Sequence, residues 1–320
     1  MIELRRNQAR SAGVFGAQVP SDRAEEEEDG FPDEKPGRSS STRMIAAAEY
    51  DFIRRLVYDR SRINLGPDKV ELVCSRLRKR ARALRLEGLE AYIELLRSPA
   101  GDEEMTGLMD AISTNVTHFF REPDHFDFLR STVLPEWEAA RTRKPADVFR
   151  AWSAACSSGE EPYTLAITLA EHFKNQPDRD WRIAASDIST QMLGRAEDAI
   201  YPQERVKLPE PAWLRRYFQR GVAPYEGTYR VKPDLRRHVS FHHVNLFQSS
   251  YEFTDKFDVI FCRNVMIYFD RKTQELLVLR LRDQLTRGGY LIVGHAESLI
   301  GIDHALTNVR PSIYRCGQRS

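Results

Sequence analysis

The sequence predicts an α/β protein: a doubly wound, mostly parallel sheet with helices on its faces, preceded by an all-helical N-terminal domain. Three observations carry this. Asp258-Val259-Ile260-Phe261-Cys262 is a short apolar, β-branched and aromatic run without polar alternation, as in a strand buried on both faces of a parallel sheet. From Ala146 the pattern reads strand, small-residue turn, helix, strand, acid, which is the βαβ order of an open α/β sheet. Before that, from Met44 to about Pro99, apolar residues recur at helical spacing instead.

At 320 residues the chain is long enough for one large domain and a smaller one. Its net charge of +1 makes any electrostatic argument local. The cysteines, Cys74, Cys156, Cys262 and Cys316, form no C-x-x-C pair and have no metal-ligand spacing with histidine. Reduced thiols and a cytoplasmic location are therefore expected, with no bound metal. No apolar run is long enough to span a membrane, and the first residues lack the apolar core of an export signal.

Residues 1 to about 43 read as a disordered tail, with eight acids between Asp22 and Glu34 followed by Pro36-Gly37 and a Ser/Thr run. It is either a solvated tail or an acidic arm that masks the basic helix beyond it. In that helical stretch Tyr50, Ile53, Leu56 and Val57 share one face, as do Val70, Val73, Leu77 and Leu84. Between Arg54 and Arg85 eleven basic residues stand against three acids, a local excess of +8, densest at Arg76, Arg78, Lys79, Arg80, Arg82 and Arg85. Such an excess is either a solvated helix face or a surface that steers an acidic partner. Nucleic acid is not favoured, because no aromatic interleaving or known module accompanies the charge.

A second helical piece, about Glu103 to Ser113, leads into Thr114-Asn115-Val116-Thr117-His118-Phe119-Phe120-Arg121-Glu122, and Pro123 opens a further helix. Asp147 to Ala154 reads as a strand, Ala155 to Pro162 as a turn and Tyr163 to Phe173 as a helix; Trp181 to Asp187 is a second strand. The turn has only Gly159, so the dinucleotide Gly-x-Gly-x-x-Gly fingerprint fails, and Glu160-Glu161 would repel a pyrophosphate. A nucleoside without phosphates fits better, with Asp187 accepting from both ribose hydroxyls; the alternative for Asp187 is a helix cap.

Tyr201 to Arg237 is crowded with Pro and Gly and reads as an insertion, with a hairpin at Gly221 to Val231. Val239 to Leu246 is a third strand. Its adjacent His242 and His243 point to opposite faces, which argues against a shared metal. The Asp258 run is the fourth strand. A helix from Lys272 to Leu285 is expected to stop at Arg287-Gly288-Gly289, before a fifth strand from Tyr290 to Glu297. Polar Arg263 and Asn264 at the carboxyl end of a buried strand stand where open α/β sheets bind ligands; otherwise they cap neighbouring backbone.

Four segments now stand in order: Thr114 to Arg121, Ser153-Ala154-Ala155-Cys156-Ser157-Ser158-Gly159-Glu160-Glu161-Pro162-Tyr163, Cys262-Arg263-Asn264-Val265-Met266-Ile267-Tyr268-Phe269, and Gly294-His295-Ala296-Glu297. Together they resemble the chemotaxis receptor methyltransferase (CheR) family, over roughly Met44 to Cys316. The resemblance implies a Rossmann-like class I S-adenosylmethionine-dependent methyltransferase domain with a small antiparallel β-subdomain. It also implies esterification of receptor glutamates to γ-glutamyl methyl esters, leaving S-adenosylhomocysteine. The domains it implies are a tail at 1–43, a helical receptor-docking domain and linker at 44–122, and a methyltransferase domain at 123–320 with an insertion at about 201–237.

Carried over by motif, the cofactor contacts are Asn115, Thr117, Arg121, Glu161, Asp187, Asn245, Leu246, Arg263 and Asn264. The family usually has Ser at the position of Ala296, so a hydroxyl contact there is absent. The expected partner is an acidic helical bundle of a chemoreceptor docking on Arg76 to Arg85, with a receptor tail peptide at Gly221 to Val231 as a second contact.

The chemistry suits donors rather than bases. A glutamate of pKa about 4.3 is already a nucleophile at neutral pH, so the site has only to desolvate and align it. Tyr268 is expected to orient the carboxylate, and core packing at the strand end is the alternative for it. Arg121 acts on either the cofactor carboxylate or the substrate. A nicotinamide oxidoreductase, a non-catalytic docking relative, and a methyltransferase of small molecules or nucleic acid are the competing readings. The missing glycine fingerprint, the intact polar set and the Arg263–Phe269 motif respectively argue against them.

Overall fold

The computed structural model describes residues 14–15, 45–140 and 147–317. The acidic run at 22–34 lies outside the described residues. Within the segment read as a tail, Val14–Phe15 forms a short strand (β1). A strand of two residues flanked by Gly13 and Gly16 is too short to leave a periodic signal.

Helices α1 (Ala47–Ser61), α2 (Val70–Ala83), α3 (Leu89–Arg97) and α4 (Gly101–Ile112) pack around their own core. Ile53, Val57, Leu77, Tyr92 and Leu108 are fully buried in it. The basic helix α2 is not uniformly a surface. Arg80 makes a two-pronged ion pair with Glu104 at 2.7 and 2.8 Å, and the Tyr92 hydroxyl donates to the same carboxylate at 2.7 Å. Arg76 donates to the carbonyls of Ile112 and Ser113, satisfying the end of α4. Lys79, Arg82 and Arg85 are the exposed cations of the stretch.

After a linker, α5 (Asp124–Phe128) runs through a π turn at Leu129–Val133 into α6 (Leu134–Ala140). The α/β domain continues with β2 (Val148–Ala154), α7 (Glu160–Phe173), β3 (Asp180–Asp187) and α8 (Thr190–Asp198). The predicted insertion supplies β4 (Ile200–Pro202), α9 (Pro211–Tyr217), β5 (Phe218–Gly221), β6 (Thr228–Val231) and α10 (Pro233–Arg236). The chain then gives β7 (Val239–His243), β8 (Phe257–Cys262), α11 (Arg271–Gln284), β9 (Leu285–Val293), β10 (Leu306–Arg310) and β11 (Ile313–Cys316).

The seven-stranded sheet has the order β10-β11-β9-β8-β2-β3-β7, with β7, β3, β2, β8 and β9 parallel to one another, β11 antiparallel to β9, and β10 antiparallel to β11. Every residue of β8 is buried, as its unbroken apolar run requires. Val259 and Phe261 face one core with α7 and the α5–α6 helix, whereas Ile260 and Cys262 face the other with α11. The smaller sheet has the order β1-β5-β6-β4.

Two boundaries differ from the sequence reading. Helix α7 begins at Glu160, not Tyr163, because Pro162 falls in its first turn, where a missing N–H costs no helical bond. Arg287-Gly288-Gly289 is not a helix stop. Helix α11 ends at Gln284 and β9 begins at the next residue, so the glycines lie inside the strand, where the register with β8 shifts. Gly288 has φ +78° there, a conformation that suits glycine at a bulge rather than a loop.

Candidate active site

The parallel strands β2, β3, β7 and β8 all end on one side of the sheet, and β2 lies where the order reverses between β3 and β8. A crevice opens beyond such a point in α/β sheets. Here it is a cleft of about 890 Å³, partly open to solvent, roofed by Ser61 and Ile63 from the helical domain. The structure brings all ten sequence-selected residues to its wall: Asn115, Thr117, Arg121, Glu161, Asp187, Asn245, Leu246, Arg263, Asn264 and Tyr268.

The turn after β2 is built tightly. Ala155 and Ser157 have positive φ, as does Gly159 at +95°. A Cβ on Gly159 would lie 2.8 Å from both the Ala196 methyl and the Tyr201 hydroxyl, so only glycine fits. The turn's N–H groups are largely spent. Cys156 donates to the Ser186 carbonyl at 2.8 Å, Ser157 to the Asp187 carboxylate at 2.8 Å, and Gly159 to the Cys156 carbonyl at 3.1 Å. A phosphate cradle needs those groups free, so the argument against a pyrophosphate rests on them rather than on charge. Glu160 and Glu161 are in fact turned inward. Glu160 pairs with Arg205 and accepts from Ser158, while Glu161 accepts from Ser153 at 2.7 Å and pairs with Arg263 at 3.0 Å.

Asp187 ends β3 and is 6% exposed. One carboxylate oxygen accepts from Ser157 and the other from the Ser189 N–H at 2.9 Å. Burial pushes its pKa up, and these backbone donors pull it back. The cap of α8 is Ser189, which accepts from Met192 at 3.1 Å, so Asp187 is not the capping residue. A carboxylate has about four lone-pair positions; the N–H groups of Ser157, Ser189 and Ile188 draw on them, and Asp187 lines the cleft with what remains.

Arg263 carries the most contacts. Its side chain is 1% exposed and lies between Glu161 at 3.0 Å and Glu122 at 2.9 Å, with a further bond to the Arg121 carbonyl. Glu122 also accepts from the Asn264 amide at 3.1 Å and the His295 N–H at 3.3 Å. Burial would raise the Glu122 pKa, but Arg263 and Asn264 hold it down to about 2. Glu122 therefore fixes both polar residues after β8. The sequence reading missed it, since its partners are more than 140 positions away.

Glu122, His125 and His295 bring three metal-capable donors within 4.8 Å. Both oxygens of Glu122 are already engaged by Arg263 and Asn264, and a divalent ion would sit against the guanidinium. We read the group as packing around an ion pair, with the His125 and His295 rings edge to face at 4.7 Å.

The helical domain closes the cleft through specific bonds. The Asn245 amide donates to the Arg60 carbonyl, Asn64 N–H donates to the Tyr268 carbonyl at 2.8 Å, and Tyr58 donates to Asp270 at 2.7 Å. Phe119 packs on Tyr201 and Phe218 at 5.0 and 5.6 Å, and Phe120 stacks on Trp213 at 5.5 Å. The adjacent aromatics, unusual for core or surface, thus pin the linker to the smaller subdomain. Arg121 between them and the cleft donates to the Val116 carbonyl at 2.7 Å, which curls the Asn115–Arg121 loop over the cleft. Among the described residues no helix is long and apolar enough to cross a membrane.

Comparison with known proteins agrees with this geometry. The family described as "CheR methyltransferase, SAM binding domain" matches residues 115–314, and "CheR methyltransferase, all-alpha domain" matches residues 48–113. The chain is 40% identical over 259 residues to a chemotaxis protein methyltransferase of Salmonella typhimurium, covering 80% of this chain and 86% of that protein. It is 38% identical over 270 residues to one of Escherichia coli, covering 84% and 91%. It is 36% identical over 272 residues to one of Borreliella burgdorferi, covering 85% and 95%.

Proposed function

Since the chain belongs to the CheR methyltransferase family, with S-adenosylmethionine as its methyl donor and chemotaxis as its setting, we propose that it esterifies glutamate side chains of chemoreceptors to γ-glutamyl methyl esters. The observation that carries this reading is where the cleft's charge is spent. Its acids, Glu161 and Asp187, are each committed to internal donors. Of the other lining groups, Arg121 and Tyr268 can donate, Tyr268 to the substrate. An amine or alcohol substrate would need a base to take its proton. A carboxylate arrives without one and needs only to be desolvated and aligned.

In this reading the bound sulfonium supplies an already activated methyl group. Asp187 accepts the ribose hydroxyls, and Ile188, Val244 and Leu246 flank the base. Asn115, Thr117, Glu161, Asn245, Arg263 and Asn264 complete the cofactor wall, the last two held by Glu122. Tyr268 donates to the incoming carboxylate and fixes its line of approach. Arg121 serves the cofactor's carboxylate, because its tie to Val116 keeps it on the loop that covers that end. When bound, the donor would supply its sulfonium methyl to a glutamate oxygen that Tyr268 holds in line, the carbon–sulfur electron pair remaining on sulfur.

We place the receptor contact on the exposed cations of the α2 stretch, namely Lys79, Arg82 and Arg85, facing an acidic helical bundle in the cytoplasm. The hairpin β5–β6, at Gly221 to Val231, is the second candidate contact, for a receptor tail peptide. The outer edge of β5 is paired with β1, whose Phe15 carbonyl accepts from Val222 at 3.0 Å. A peptide adding there as a strand would have to displace the chain's own segment.

Transfer of labelled methyl from S-adenosylmethionine to chemoreceptor cytoplasmic fragments tests the reading. Label that mild alkali releases as methanol is expected. Alkali-stable label would mean another acceptor atom and would overturn the carboxylate assignment.

A further inference from the structure

The loop after β8 carries Asn264 and Tyr268. Asn264 has a left-handed φ of +59°, and the residues from there to Phe269 belong to neither sheet. The loop's carbonyls take donors from Asn64 and Gln274, at Tyr268 and at Met266 and Phe269 respectively, whereas the N–H groups of its first half converge on one carboxylate. Glu297, 5% exposed, lies just beyond β9. One of its oxygens accepts from the N–H groups of Asn264 at 2.7 Å and Gly294 at 2.6 Å, and the other accepts from the Met266 N–H at 2.7 Å. The Ile267 N–H also faces it. Gly294 makes this approach possible: a Cβ there would lie 2.6 Å from the Asn264 amide nitrogen and 2.8 Å from Glu297.

From this we infer that Glu297 is a positioning residue for methyl transfer, its buried carboxylate tying the Asn264–Tyr268 loop to the end of β9 and so fixing where Tyr268 presents its hydroxyl. The inference rests on the reading above that Tyr268 orients the incoming carboxylate. Two features favour an anchoring role over mere burial of an acid. Every bond to Glu297 comes from backbone N–H, so it specifies the path of the chain rather than the identity of its side chains. Asn264 has a second anchor in Glu122, whereas the N–H groups of Met266 and Ile267, which open the turn carrying Tyr268, go to Glu297, and the turn's carbonyls are held separately by Gln274 and Asn64. Loosening Glu297 should therefore disturb the substrate side more than the cofactor side.

Glu297→Gln keeps the shape but replaces one acceptor oxygen with an NH₂ that must face a backbone N–H. It should lower kcat for receptor methylation about ten- to hundredfold, since small displacements of an aligning group have costs of that order. The dissociation constant of S-adenosylhomocysteine should stay within about threefold. In a Tyr268→Phe background the same substitution should add little, because two changes acting through one group are not additive. Glu297→Asp, which keeps the charge on a shorter arm, should fall between the wild type and Glu297→Gln, and it carries the test if Glu297→Gln fails to fold by thermal melting.

Wild-type kcat in the Glu297 variant, or an equal loss in both backgrounds, overturns the inference and leaves Glu297 a purely structural acid. A Tyr268→Phe enzyme of wild-type kcat overturns instead the assignment of Tyr268, and with it the route by which Glu297 is said to act.

Discussion

Asp187→Asn separates a cofactor-binding acid from one that merely organises the turn after β2. In the folded chain each carboxylate oxygen accepts one backbone N–H, from Ser157 at 2.8 Å and Ser189 at 2.9 Å. The Ile188 N–H also bonds the carboxylate, and the lone-pair capacity that remains is what the ribose hydroxyls would use. An asparagine offers one oxygen. If it stays on Ser189, its NH₂ meets the Ser157 N–H, and neither can be satisfied. The orphaned buried donor costs about 1–3 kcal/mol of stability. For the ligand, one hydrogen bond to a charged acceptor is lost, worth about 1.5–3 kcal/mol, or roughly a ten- to 150-fold rise in dissociation constant. Isothermal titration with S-adenosylhomocysteine measures that rise, and urea denaturation measures the stability term separately. Repeating the titration with the 2′-deoxy analogue completes a double-mutant cycle: the analogue should be penalised in the wild type and much less in the variant. Binding of S-adenosylhomocysteine within threefold of wild type, or an unchanged penalty for the analogue, would refute the ribose contact.

Two further outcomes are expected. Reversing Lys79, Arg82 and Arg85 together to Glu should cut kcat/KM for receptor at low salt by about tenfold or more, with the difference shrinking as salt is added and S-adenosylhomocysteine affinity unchanged; equal rates at low salt would remove α2 as the docking face. His125, buried at 1% exposure beside Glu122, His295 and Arg263, has its pKa pushed down to about 3 by burial first and Arg263 second. The unfolded chain takes up that proton near pH 6.5 and the folded one does not until about pH 3. Its contribution is thus complete above pH 6.5 and is lost as the pH falls, with a slope of at most about 1.4 kcal/mol per pH unit for one proton. The urea midpoint of the wild type should therefore fall relative to that of His125→Phe between pH 7 and pH 5. A constant gap would mean that the two states bind this proton alike.

Some of the fold and site was legible in the sequence and some was not, for physical reasons that differ by residue. Strand β8 announced itself because a strand covered on both faces has no room for polar alternation. The turn at Ala155–Gly159 was recognisable from its small residues, and Asp187 from its place at the end of the next strand. Arg80 was misjudged as a surface charge. On a helix a solvated arginine and one folded back onto Glu104 look identical until the partner helix is placed. Gly288-Gly289 looked like punctuation because glycine relaxes the backbone equally at a loop and inside a bulged strand. Glu122 and Glu297 stood within or beside quoted motifs, but nothing in the sequence showed what their carboxylates bind. A carboxylate that binds backbone N–H groups across the fold has no characteristic spacing, and the only local hint at Glu297 is the glycine three positions before it.

The acids of the cleft define what kind of catalyst it is. Glu122 and Glu161 neutralise Arg263 and hold it rigid, Asp187 closes the turn after β2, and Glu297 pins the loop after β8. Each is buried or nearly so, and each already accepts donors from the protein. An acid held this way is a poor proton acceptor for a substrate, because protonating it would leave several buried N–H or guanidinium donors without a partner. On the reading proposed above, the protein's carboxylates shape the site and the nucleophilic carboxylate is the substrate's. Alignment is what the site contributes in that reading, and the irregular backbone after β8 is fastened accordingly, by Glu122 and Glu161 on the Arg263 side chain and by Glu297 on the N–H groups of Asn264 and Met266.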